Sequence, residues 1–184
     1  ILSKYNSIDI AGPSMYELSP LTLKYWEKEM ENFRKRVGNL KVTPWLDNEA
    51  RQRNYKLLRT QALKSITIGC DGYHIYYDTL ISVDGRRLFD LGVVNTIISD
   101  FEDFFLNGKK IQGEIFIDEN KDDYSIDGWE IGEEKVIFIF NHDDKNKKEV
   151  EFSLPFEIEE KIVFYDYMNK KNIEEANKIS LSLY

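Results

Sequence analysis

LLRTQALKSITIGCDGYHIYYD (Leu57–Asp78) is the stretch whose reading decides how this chain folds. Its first half has a helical rhythm: Leu58, Ala62 and Leu63, with Tyr55 just upstream, fall on one side of a helix. SITIGC (Ser65–Cys70) is then β-branched and apolar, which predicts a strand that runs on into GYHIYYD. The same order, helix then strand, repeats on either side of it.

Toward the amino end, YNSIDIAG (Tyr5–Gly12) is apolar, β-branched and closed by Gly-Pro, the pattern of a strand. Ser19-Pro20 is an N-cap followed by proline at the first helical position. Trp26, Met30, Phe33 and Val37 recur at helical spacing, and Gly38 stops that helix. LKVTPWL (Leu40–Leu46) is a second short strand, after which Asp47 or Asn48 caps the next helix. Toward the carboxyl end, a last helix is predicted from about Asp84 to Leu106, with Leu91, Val94, Ile98, Phe101 and Phe105 on one face. Three strand–helix units in succession make parallel strands joined by right-handed crossovers. In such layers the functional edge lies at the carboxyl ends of the strands.

After Gly108 the helical period vanishes. KKIQGEIFID, DGWEIG, EKVIFIFN, KEVEFSLPF, KIVFYDYMN and ISLSLY follow one another between Asp, Asn and Gly turn clusters, as in an antiparallel sandwich. EVEFSLPF sets Val150, Phe152 and Leu154 against Glu149, Glu151 and Ser153, one face dry and one wet. HDDKNKKE (His142–Glu149) is a polar hairpin loop.

Charge divides the chain at the same place. Residues 107–184 hold 11 Lys and 19 acidic groups, a balance of -8, and residues 1–106 are neutral. An acidic protein repels phosphate backbones, so nucleic acid is not an expected partner. No apolar run reaches the roughly 18–20 residues of a membrane span, so no membrane partner is expected. ILSKYN has no basic stretch followed by an apolar run, so no secretory leader is expected there. Cys70 is the single cysteine and cannot close an internal disulfide. Two distant histidines give no zinc spacing, DENKDD (Asp118–Asp123) lacks the EF-hand glycine and terminal glutamate, and no Gly-rich phosphate loop opens a helix. No metal or cofactor is expected.

Taken together, IDIAGPSMYE, KVTPWLD, LLRTQALKSITIGCDGYHIYYD and FFLNGKKI resemble the carboxyl-terminal part of a multi-domain glycoside hydrolase, a (β/α)8 barrel followed by a β-sandwich. The helix leading into Gly69, Gly72, Tyr73 and Tyr76 resembles the lead into a last barrel strand. VIFIFNHD, VEFSLPF, VFYDYMNKK and ISLSLY are similar to the strand order of the attached sandwiches. The resemblance implies an α/β plus all-β chain: residues 1–106 the last three strand–helix units of a barrel, residues 107–184 the sandwich. A closed barrel takes about 250 residues and at least about 200. Five earlier units, the amino-terminal barrel half, are therefore expected in the same or another chain.

The resemblance also implies a carbohydrate substrate and a pair of carboxyl groups. These sit roughly 5–5.5 Å apart for retention and roughly 6.5–9.5 Å for inversion. Asp9, Asp47 and Asp71 are the catalytic candidates; Tyr16, Glu17, Trp45, Tyr73, His74, Tyr76 and Asp78 are the substrate-binding ones. Aromatic faces suit the C–H faces of sugar rings, and the polar groups suit hydroxyls. Each has a plainer reading: Asp47 as a helix cap, Asp71 as a turn residue, Trp45 and the tyrosines as packing. The alternative function is a non-catalytic carbohydrate-binding or protein-interaction module.

Overall fold

The computed structural model describes residues 9–15, 23–47, 55–76, 85–111, 124–141, 148–153, 164–166, 171–173 and 178–183. The expected Ser19-Pro20 and Asn48 caps, GEIFID and most of the loop after Asn141 lie outside them.

The first part alternates short strands and helices: β1 (Ile10–Ala11), β2 (Ser14–Met15), α1 (Leu23–Val37), β3 (Lys41–Val42), β4 (Trp45–Asp47), α2 (Tyr55–Thr67) and β5 (His74–Tyr76). Parallel pairs join β1 to β3, β2 to β4 and β4 to β5. LKVTPWL is thus two strand pieces, broken at Thr43-Pro44, and its partner is broken at Gly12-Pro13. Proline offers no N–H to a ladder, so each break falls where a donor is missing. The neighbouring amides bridge the gaps: Thr43 N–H donates to the Ala11 carbonyl at 3.0 Å, Trp45 N–H to Pro13 at 2.9 Å and His74 N–H to Pro44 at 2.8 Å.

SITIGC is not a strand, and here the sequence expectation is corrected. The helix runs on to Thr67, and the strand begins only at His74. Ser65 Oγ donates to the Gln61 carbonyl at 2.8 Å, one turn back, so this hydroxyl is satisfied within the helix. Gly69 then closes it at φ 92°, with Gly69 N–H on the Ile66 carbonyl and Cys70 N–H on the Ser65 carbonyl. That pair of bonds is a Schellman stop, which needs a left-handed residue and favours glycine.

The next helix is also divided. α3 (Gly85–Asp100) gives way at Phe101 to α4 (Glu102–Asn107). The break turns Phe101 and Phe105 onto the second part of the chain. Phe101 meets Phe138 edge-on at 5.7 Å, and Phe105 meets Trp129 edge-on at 5.5 Å. That second part begins with β6 (Lys109–Lys110), β7 (Tyr124–Ile131) and β8 (Glu134–Asn141), three antiparallel strands. β9 (Lys148–Ser153) pairs antiparallel with β12 (Lys178–Leu183), and β10 (Phe164–Asp166) with β11 (Lys171–Ile173).

Two cores result. Ala11, Met30, Val37, Val42, Leu46, Leu58, Ala62, Leu91 and Val94 are buried between the helices and the parallel strands. Ile97, Trp129, Phe138 and Phe140 form the second, where β7 and β8 meet α2, α3 and α4. Burying a phenylalanine side chain contributes about 1.5–3 kcal/mol, so Phe138 and Phe140 stabilise the junction.

A polar cluster sits at the same junction. Lys64 Nζ and Asp127 Oδ2 lie 2.7 Å apart with both side chains 0% exposed. Thr67 Oγ1 donates to the same oxygen at 2.6 Å, and Lys110 Nζ stands 3.6 Å from Asp127 Oδ1. Trp129 Nε1 donates to the Thr67 carbonyl at 2.8 Å. Asp127 is therefore an acidic residue of the second part that is not on a wet face.

Candidate functional site

The parallel strands β4 and β5 present their first residues to each other. Trp45 of β4 is the register partner of His74 of β5. Their rings stack, with centroids 4.6 Å apart and planes 28° from parallel. Trp45 is 38% exposed and His74 is exposed, whereas the intervening Leu46 is wholly buried. Strand alternation explains the difference: Leu46 faces the helices and Trp45 the opposite side.

Gly12 makes room for this pair. A Cβ there would lie 2.4 Å from the Thr43 carbonyl oxygen and 3.1 Å from the Trp45 indole. Only a glycine lets the neighbouring strand come this close with the indole laid against it. The result is a part-exposed stack of indole and imidazole beside a stretch of bare backbone, the platform of this site. A platform of that kind offers an apolar surface beside ring nitrogens that form hydrogen bonds, which suits a ligand with an apolar face and polar edges.

Other expected residues fall around it. Asp47 ends β4 as the register partner of Tyr76, two residues beyond the Trp45–His74 pair. Asp9 is exposed and immediately precedes β1, where its carbonyl accepts the Lys41 N–H at 3.0 Å. Asp71 is exposed and precedes β5. Its Oδ2 accepts the Val42 N–H at 2.8 Å, and its own N–H donates to the Val42 carbonyl at 2.9 Å. Asp9 and Asp71 thus lie toward the amino ends of their strands, away from Asp47. Tyr73 is half-buried and donates its hydroxyl to Asn95 Oδ1 at 2.9 Å, which ties the start of β5 to α3. Burial raises the pKa of that phenol. Tyr16, Glu17 and Asp78 lie outside the described residues.

Neither protein-family models nor curated proteins nor solved structures match this chain.

Two features were not anticipated from sequence. A crevice of about 440 Å³, lined by Arg34, Gly38, Asn39, Leu40, Gly69 and Asp71, opens where α1 and α2 end. It is built from two helix stops, and its lining includes neither Trp45 nor His74, so it is separate from the platform. The second is the Lys64–Asp127 cluster, whose members read as ordinary surface charges when taken singly.

Cys70 is buried and its thiol is pushed up to about 11, chiefly by burial. A thiol held protonated in this way is a poor nucleophile, which fits a packing role. Among the described residues no group of three His, Cys, Asp or Glu could hold a metal ion, and no helix is long and apolar enough to cross a membrane.

Proposed function

We propose that this chain is the carboxyl-terminal part of a glycoside hydrolase. Residues 1–106 would supply the last three strand–helix units of a (β/α)8 barrel, and residues 107–184 a β-sandwich. The observation that carries the reading is the parallel order β2-β4-β5, neighbours in chain order, with the stacked Trp45–His74 pair on the side of the sheet away from the helices. In a barrel that side faces the interior, and the carboxyl ends of the strands, two residues beyond the pair at Asp47 and Tyr76, hold the substrate. A sugar ring packs on the exposed side of this stack, and the imidazole meets its hydroxyls. Asp47 is the carboxylate at a strand's carboxyl end. Its acid or base partner is expected on an earlier strand, in the amino-terminal barrel half.

Titration with a panel of oligosaccharides, followed by isothermal calorimetry, tests the site. Trp45→Ala should weaken binding at least about tenfold, equal to about 1.4 kcal/mol. Equal binding by the variant would remove the platform from the argument. Hydrolysis assays test the catalytic half of the reading. The 184-residue chain alone should show no turnover, while the complete assembly should; turnover by this segment alone would overturn the partial-barrel reading.

One observation favours a second reading, a non-catalytic carbohydrate-binding module. Among the described side chains, an aromatic and an imidazole meet at the platform without a carboxylate between them. Binding by this chain, with no hydrolysis in any complete assembly, would decide for the module.

A further inference from the structure

We propose that the crevice where α1 and α2 end binds a small zwitterion, a free amino acid, with its carboxylate on Arg34 and its ammonium group beside Asp71. This site shares no residue with the Trp45–His74 pair and does not depend on the barrel reading.

Arg34 is the group that points to a ligand. It stands in the last turn of α1, half-buried, and reaches across to the stop of α2. A Cβ at Gly69 would lie 3.7 Å from Arg34 Nη1, 3.9 Å from Nη2 and 3.9 Å from Trp129 Cη2, so the guanidinium lies over bare backbone beside the indole edge. Among the described residues this guanidinium has neither a hydrogen bond nor an ion pair. The carbonyls at the two helix stops are taken by backbone donors instead. Gly38 N–H holds the Arg34 carbonyl at 2.9 Å, and the N–H groups of Gly69 and Cys70 hold those of Ile66 and Ser65. A guanidinium carries five donors in a fixed fork that matches a carboxylate. Leaving such donors half-buried and unpaired is costly, and an incoming carboxylate removes that cost.

The rest of the crevice is negative. Asp71 is exposed and held in place by Val42, through its N–H at 2.9 Å and its Oδ2 at 2.8 Å. Its Oδ1 has no hydrogen bond among the described residues. The helix stops at Gly38 and Gly69 add the negative ends of two dipoles. A simple anion gains Arg34 but is repelled by the other groups, and a simple cation gains those groups but is repelled by Arg34. A ligand with both charges complements both. Asn39 adds an amide and the half-buried Leu40 an apolar patch. The volume of about 440 Å³ falls within the roughly 300–1,000 Å³ of small-molecule sites.

Isothermal calorimetry on the 184-residue chain tests this with L-alanine, L-leucine and β-alanine, against propionate, ethylamine and inorganic phosphate. At least one amino acid should bind about tenfold or more tighter than propionate and ethylamine, each of which lacks one of the two charges. Arg34→Met keeps the apolar stem and removes the fork, so it should bring amino-acid affinity down to that of ethylamine. Asp71→Asn keeps an oxygen for the Val42 N–H and removes the charge, so it should bring it down to that of propionate. Both variants should keep the wild-type thermal midpoint. No heat from any amino acid, binding no tighter than that of the single-charge analogues or of phosphate, or undiminished binding by either folded variant would overturn the proposal. A lowered midpoint in Arg34→Met, with no amino-acid binding by the wild type, would mark Arg34 as a cation that only steadies the helix ends. Where a variant does not fold, the wild-type comparison with propionate and ethylamine decides alone.

Discussion

Replacing Asp127 by Asn is the most informative perturbation of this fold. Asp127 is wholly buried, with Lys64 Nζ at 2.7 Å, Thr67 Oγ1 at 2.6 Å and Lys110 Nζ at 3.6 Å. The pair brings a negative charge from β7 against a positive charge from α2. Removing one partner of a buried pair leaves the other charge without its counterion, which costs about 3–5 kcal/mol. Lys64→Met should cost less, since Asp127 keeps Thr67 and the half-exposed Lys110. The double variant Lys64→Met, Asp127→Leu should recover most of the loss, because an apolar pair of similar volume often replaces a buried ion pair at little cost. Urea unfolding measures this, with tryptophan fluorescence reporting tertiary packing and far-ultraviolet dichroism reporting the helices. The wild type should unfold in one transition by both probes, because the pair joins helix to sheet. Asp127→Asn should lower the midpoint strongly. Single variants that each cost under about 1 kcal/mol, or a double variant whose loss equals their sum, would show that the pair is not desolvated and would refute the reasoning.

Three further outcomes follow from other sites. Gly12→Ala forces a Cβ to 2.4 Å from the Thr43 carbonyl and should destabilise by about 1–3 kcal/mol while weakening sugar binding, read by thermal melting and by titration. Cys70 should react with iodoacetamide at pH 8 about 100-fold more slowly in the folded chain than in urea, since the thiol is raised from 9.0 to about 11; equal rates would show it to be accessible and unperturbed. The sign for stability is the same: the buried thiol favours the protonated form, so its contribution is complete below about pH 9 and is lost as pH rises through about 11. Tyr73→Phe removes the bond to Asn95 and should cost about 0.5–1.5 kcal/mol in urea unfolding, with no change in the Trp45–His74 platform.

The helical elements were legible wherever the apolar period was long. Met30 and Val37 are buried and Phe33 half-buried on α1, at the spacing that predicted them. SITIGC was not, because Ile66 and Ile68 alternate with hydroxyl residues as in a strand. What decides that stretch is partly local, the stop at Gly69, and partly distant, since Lys64 and Thr67 turn toward Asp127. The local signal was readable: a glycine after an apolar helix is a common C-cap. The distant one was not, because a single lysine on a helix reads as a solvated charge until its partner is known. The platform was half legible. Trp45 and His74 stand at strand positions that sequence singled out, but their meeting depends on register, which links residues 45 and 74 across a whole helix. Asp9 and Asp71 precede their strands because the strand pieces are shorter than the apolar runs that announced them.

The buried pair also bears on how the chain is made. Lys64 and Asp127 are 63 residues apart. At about 5–20 residues per second, a ribosome takes about 3–13 s to pass from one to the other. Throughout that interval α2 carries an ammonium group that it cannot bury, beside Leu58, Ala62 and the rest of its apolar side. The junction between α2 and β7 can close only once Asp127 has been made, so the two parts complete their packing together.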